Sequence, residues 1–193
     1  MKKLCFYLTV LLLFGISTSN LKGQYSSPIG NDIGCRPCSQ EILNLFNQLL
    51  HHSEIDPSTV MLTTCDEVGG SNAKVSNLGD SYLLSYKASE TAKERILVLF
   101  AHELGHVFLK HEDPVCEPDR RCCNTKRLDR IKRGQEKDAD YWAGWLLGKA
   151  GYSWQVIELG LSVLKPAFES PDYPPFRERY EAFLKGFKSS NRI

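Results

Sequence analysis

One stretch, Ala101-His102-Glu103-Leu104-Gly105-His106, sets an HExxH pattern inside the apolar run that extends from Ile96 to Phe108. Residues four apart on a helix project from the same face, so His102 and His106 can turn their imidazoles onto one metal ion. Glu103 stands beside them, placed to take a proton from an activated water rather than to bind the ion. A blander reading makes the two histidines core residues and Glu103 a solvated charge, so the surrounding sequence has to decide. Gly105 bears on that choice. A glycine inside a helix costs about 1 kcal/mol relative to alanine, so its presence points to close approach by another segment, the one carrying a third ligand being the obvious candidate.

A catalytic zinc takes three protein ligands and leaves one position open. Metzincins place a third histidine six residues after the second, with a glycine between. Here Glu112 occupies that sixth position and Leu109 replaces the glycine, which excludes the class. Glu136 is a better third ligand. It opens an ExxxD pattern in which Asp140, one helical turn on, shares its face and can bind the outer N–H of a liganding imidazole. Glu112, Glu117 and Asp138 compete, but the first two lie in or beside a cysteine-rich loop, and loops orient ligands less well than helices.

The chain of 193 residues, 42% hydrophobic and 24% charged, suffices for one domain with a real core. Residues 1–23 read as a secretory signal peptide, with Lys2 and Lys3 before the apolar run Leu4–Ile16 and small polar residues after it. An uncleaved N-terminal anchor is the alternative, but that run is short for a membrane span. Residues 24–193 then form the mature domain. Removing the leader removes three of the 24 basic residues and none of the 23 acidic ones, leaving a net charge of −2. Nothing in that balance favours nucleic acid or an anionic membrane.

Seven cysteines are present, and setting Cys5 aside with the leader leaves six: Cys35, Cys38, Cys65, Cys116, Cys122 and Cys123. An even count in an exported chain predicts disulfides throughout and no free thiol. The alternative is a structural zinc on Cys35, Cys38 and two later cysteines.

Taken in order, residues 24–34 read as an irregular N-terminus. Ser39 caps a helix with Ile42, Leu45, Phe46, Leu49 and Leu50 on one face, and His51 and His52 complement its C-terminal end. Val60–Cys65 and Tyr82–Tyr86 predict a small antiparallel sheet with a hairpin. The stretch Asn72-Ala73-Lys74-Val75 is a candidate edge that either holds an extended peptide or is an ordinary strand. Thr91 and Glu94 predict a capping box for the HExxH helix. Residues 112–127 read as a disulfide-tied loop. A helix from about Leu128 to Gly151 carries Glu136 and Asp140. Ser153 caps another to about Leu164, and a last helix follows Pro175 and ends near Phe187.

In these stretches the chain resembles the zinc metallopeptidases of the HtpX and CAAX prenyl protease type, including short periplasmic members. The matching segments are Asn72-Ala73 after a glycine-rich turn, AHELGH with His111 five residues beyond His106, EKDADYWAG followed by KAGY, and Tyr-Pro-Pro-Phe-Arg-Glu-Arg at 173–179. The resemblance covers about residues 60–185. It implies an α+β, mainly helical zincin-like domain with a small antiparallel sheet beside the active-site helix. It implies one Zn²⁺ on His102, His106 and Glu136, with Glu103 as general base and Asp140 behind the ligands. The family's C-terminal motif carries a histidine where this chain has Tyr173, while Arg179 keeps the arginine position. A tyrosine hydroxyl can steady a developing oxyanion as the histidine would, or Tyr173 only packs. Arg179 is either an oxyanion partner or an ion-pair group.

The expected function is therefore that of an exported zinc endopeptidase, periplasmic or extracellular, acting on protein or peptide substrates without stable membrane insertion. A catalytically silent secreted binding or chaperone-like module on the same fold is the alternative, and intact Glu103 argues against it. A disulfide-rich interaction domain with an accidental HExxH is a third reading.

Overall fold

The computed structural model describes residues 32–69, 71–112, 125–165 and 173–190. The expected leader, the irregular stretch up to residue 31, Glu117 and the cysteines at 116, 122 and 123 lie outside the described residues.

Helix α1 (Gln40–Ser53) is preceded by β1 (Asp32–Ile33), and its N-cap is Ser39, whose Oγ accepts the amide of Ile42 at 3.4 Å. That bond satisfies one of the amides a helix start leaves unpaired. The strands β2 (Val60–Cys65), β3 (Glu67–Val68), β4 (Ala73–Asn77) and β5 (Tyr82–Lys87) follow. Three of them form a mixed sheet in the order β2-β5-β4, and β1 pairs antiparallel with β3 in a separate ribbon.

The expectation of an antiparallel sheet is corrected here. β2 runs parallel to β5, from Val60 opposite Tyr82 to Cys65 opposite Lys87, and the hairpin joins β4 to β5. The cause is local. Asn77 Oδ1 accepts the amide of Gly79 at 2.8 Å, and Gly79 takes φ of 92°, so the chain reverses between β4 and β5. β2 reaches the sheet through the longer excursion that contains β3 and β4, and a parallel pair requires such a crossover.

Helix α2 (Lys93–Phe108) starts without the expected capping box. Ala92 holds the N-cap position, one residue later than a Thr91 cap requires, and no side chain caps the helix. Glu90 instead accepts the amide of Ala92 at 3.2 Å and pairs with Arg95 at 3.0 Å. Every residue from Ile96 to Gly105 is buried, so α2 is covered on all sides, as an apolar helix without a solvent face must be. Phe100 meets Phe46 of α1 and Tyr86 of β5 edge to face, with centroids 5.4 and 5.3 Å apart, tying the helix to the sheet.

Helix α3 (Thr125–Lys149) packs on α2 and carries the third candidate ligand. Helix α4 (Trp154–Gly160), capped by Ser153, continues as a 3₁₀ turn at Leu161–Leu164. Helix α5 (Phe176–Ser190) lies along α3, with Gly144 against the Phe183 backbone and Gly186 against that of Tyr141. Small residues at both crossing points allow this approach.

A disulfide joins Cys35 to Cys65 across 30 residues of chain, a loop whose closure is worth about 3–4 kcal/mol in the chain-entropy picture. It removes Cys35 from a structural zinc site shared with Cys38. Full pairing of the cysteines is corrected at Cys38, which has no disulfide partner among the described residues. Half-buried, with Tyr86 bonding its sulfur, it is held as a thiol: burial pushes its pKa up to about 11 against a smaller opposing effect of Tyr86.

Candidate metal centre

The site lies where α2 crosses α3. A Cβ on Gly105 would sit 2.8 Å from the carbonyl oxygen of Ala139 and 3.0 Å from its Cα, so only glycine lets the two backbones come this close. Ala139 lies between Glu136 and Asp140. The close approach expected of Gly105 is thus made by the helix that carries the candidate third ligand, Glu136.

His102, His106 and Glu136 present one ligand atom each within 4.8 Å of one another. His102 Nε2 lies 3.1 Å from His106 Nε2 and 3.3 Å from Glu136 Oε2, and His106 Nε2 lies 3.5 Å from Glu136 Oε1. A tetrahedral zinc with arms of about 2.0–2.1 Å needs ligand separations of about 3.3–3.4 Å, so the three groups fit that ion. A second observation agrees. Glu136 Oε2 is buried and accepts no aligned hydrogen bond, although His102 Nε2 and Arg179 Nη2 approach it to 3.3 and 3.2 Å. Such an atom is costly unless something else satisfies it.

Behind the ligands, His102 Nδ1 meets Asp140 Oδ1 at 2.9 Å, the contact expected of Asp140. A carboxylate there fixes the tautomer that leaves Nε2 free to bind metal. Asp140 is fully buried and Arg179 clamps it, Nε donating to Oδ2 at 2.8 Å and Nη2 to Oδ1 at 2.9 Å. The guanidinium also reaches the Leu164 carbonyl through Nη1 at 3.3 Å. Arg179 is itself buried, and these contacts engage both ends of its fork, which is the geometry of the ion-pair role.

The charges explain the titration behaviour. Burial opposes a proton on His102, but Asp140 and Glu136 overcome it and raise its pKa to about 10. Burial likewise opposes ionisation of Glu136, yet His102, His106 and Arg179 together hold its carboxyl far below the usual range. Glu136 and Asp140 both stand against the Arg179 guanidinium.

Glu103 is buried on α2, next in the chain to His102. Tyr173 is 40% exposed at the start of the last segment and close enough to act electrostatically on Arg179. Of the competing acids, Glu112 and Asp138 are exposed and stand outside the ligand group. One member escaped reasoning from the ligand spacing. His111 Nδ1 lies 3.0 Å from His106 Nδ1, so the outer nitrogen of the second ligand also has a partner. Burial, and after it the neighbouring His106, lower the His111 pKa to about 4, which keeps the ring neutral. Its position five residues beyond His106, just past the helix end, was the only signal.

No family model, curated protein or solved structure matches this chain.

Proposed function

We propose that this chain is an exported zinc-dependent endopeptidase of zincin-like architecture, related to the HtpX and CAAX prenyl protease type. The observation that carries the reading is the convergence of His102, His106 and Glu136 at zinc-like separations, with the other nitrogen of His102 held by Asp140. Zinc, when bound there, supplies an acidified water and a polarised carbonyl. Glu103 accepts the proton of the attacking water and returns it to the leaving amine. Tyr173 donates to the negative oxygen that develops on the substrate. Arg179 and Asp140 keep His102 in the tautomer that binds metal. β4 supports the peptide-substrate reading, because it is an edge strand of the sheet and packs beside α2. Export is supported by the sequence of the leader and by the Cys35–Cys65 disulfide.

The test is metal analysis of the purified mature protein, alongside digestion of an unfolded-protein mixture with and without chelator. The expected result is one zinc per chain and chelator-sensitive cleavage. Glu103→Gln should retain zinc and lose cleavage, because the glutamate handles the proton and does not hold the ion. Zinc without cleavage in the wild type would make the protein a silent binding module, and no zinc would make the motif accidental.

A further inference from the structure

A second cluster lies apart from the metal centre, at the N-terminal edge of the sheet. Asp32 is 4% exposed, and its Oδ1 has no hydrogen-bond partner among the described residues. A carboxylate oxygen of Asp32 and the sulfurs of Cys35 and Cys65 all lie within 4.8 Å of one another. Cys38 completes a C-x-x-C spacing with Cys35 and keeps its thiol. The two bonded cysteines differ in exposure: Cys65 is fully buried, whereas Cys35 is part-exposed between the exposed residues Gly34 and Arg36.

A buried carboxylate with one oxygen left without a hydrogen bond is costly in a structural role, because the desolvation of that oxygen is not repaid. Beside a disulfide it has a chemical use. When an outside thiolate opens such a bond, the departing sulfur becomes a buried anion unless a proton reaches it.

We propose that Asp32, Cys35, Cys38 and Cys65 form a thiol–disulfide exchange centre, in which the disulfide moves between Cys35–Cys65 and Cys35–Cys38. An external thiol attacks the reachable sulfur of Cys35. The sulfur–sulfur bond to Cys65 breaks, a mixed disulfide forms on Cys35, and Asp32 carries the proton given up by the attacking thiol to Cys65. Cys38 then attacks Cys35, gives its proton to the departing external sulfur, which leaves as the thiol, and closes the Cys35–Cys38 bond. One disulfide is present before and after, so no net oxidant or reductant is consumed. Cys38 lies directly before the N-cap of α1, half-buried and protonated, and so waits for the attack on Cys35 rather than starting the exchange. The exchange unties Cys35 from the last residue of β2, the strand to which Arg36 is otherwise joined by its backbone pairing with Thr64.

The test uses the full mature chain in a glutathione buffer at pH 8, quenched with acid and mapped by peptide mass spectrometry. The wild type should gain a Cys35–Cys38 linkage at the expense of Cys35–Cys65. Cys38→Ser should instead accumulate glutathione on Cys35. Asp32→Asn should slow the exchange on the order of a hundredfold, the low end for losing a positioned proton carrier, while melting no lower than wild type. Three results would overturn the proposal: Cys38 already bonded to Cys116, Cys122 or Cys123 in the untreated protein, no glutathione on Cys35 in Cys38→Ser, or an Asp32→Asn variant that exchanges normally or melts lower. The metal centre takes no part, so each of these outcomes is independent of the peptidase reading.

Discussion

Replacing Arg179 by methionine separates the two roles its position allows. Arg179 is 4% exposed, and its guanidinium binds fully buried Asp140 through two hydrogen bonds and stands 3.2 Å from Glu136. Methionine fills much of the volume but leaves Asp140 buried with, among the described residues, only His102 Nδ1 to meet it, at 2.9 Å. Removing one partner of a buried ion pair costs about 3–5 kcal/mol. In a domain of this size each kcal/mol moves the midpoint by about 2–4 °C, so Tm should fall by roughly 6–20 °C. Circular dichroism of the metal-free protein measures this directly. Added zinc should restore part of the loss, since an ion at a hundred times its Kd stabilises by about 2.7 kcal/mol. Arg179→Lys should fall between the two, because an ammonium keeps the charge but cannot span both carboxylate oxygens. A Met variant that melts within about 2 °C of wild type while losing turnover per bound zinc would refute the reasoning. Its charge would then be meeting the reaction rather than holding Asp140.

Tyr173→Phe should lower turnover on the order of a hundredfold with zinc content and melting unchanged, the scale for losing one oxyanion donor; unchanged turnover assigns Tyr173 to packing. Gly105→Ala should destabilise by about 1–3 kcal/mol despite alanine's better helix propensity, and should weaken zinc binding, because the added Cβ meets Ala139 backbone and pushes α3 away; competition with a chromogenic chelator reads the second effect. Cys38 should resist iodoacetamide in the folded protein at pH 8. Its pKa is raised from 9.0 to about 11 by burial, so its thiolate fraction falls about a hundredfold, only partly offset by the greater nucleophilicity of a more basic sulfur. Because the folded-state value is the higher one, its contribution to stability is whole below pH 9 and is lost as pH rises towards 11, while urea-unfolded chain should be alkylated rapidly.

What the sequence made legible was whatever depends on neighbours along the chain. Ser39 and Ser153 are both N-caps, and the HExxH and ExxxD spacings both place their residues on one helix face, because each is decided within a turn or two. The direction of β2 was not legible, since it depends on how β4 claims the far side of β5. Thr91 and Glu94 have the right spacing for a capping box, and a helix starting one residue later defeats it. The Cys35–Cys65 link was one of several pairings open to the cysteines, and it follows from β1 and β3 lying side by side just before and after these residues. In the candidate site, ligand spacing alone gave no role to His111, because it touches His106 and lies outside the group of candidate ligands.

The placement of Glu136 and Asp140 on one helix has a mechanical consequence. The candidate ligand Glu136 and the Asp140 that holds His102 cannot be shifted separately by any movement of α3, because one helix carries both. The width of the centre is then governed by a single distance, the gap between α2 and α3, and the missing side chain of Gly105 sets that gap. The two helices work as the jaws of a caliper with one screw. Tuning such a centre for an ion of different radius would not call for new ligands, only for a change in what stands between the jaws.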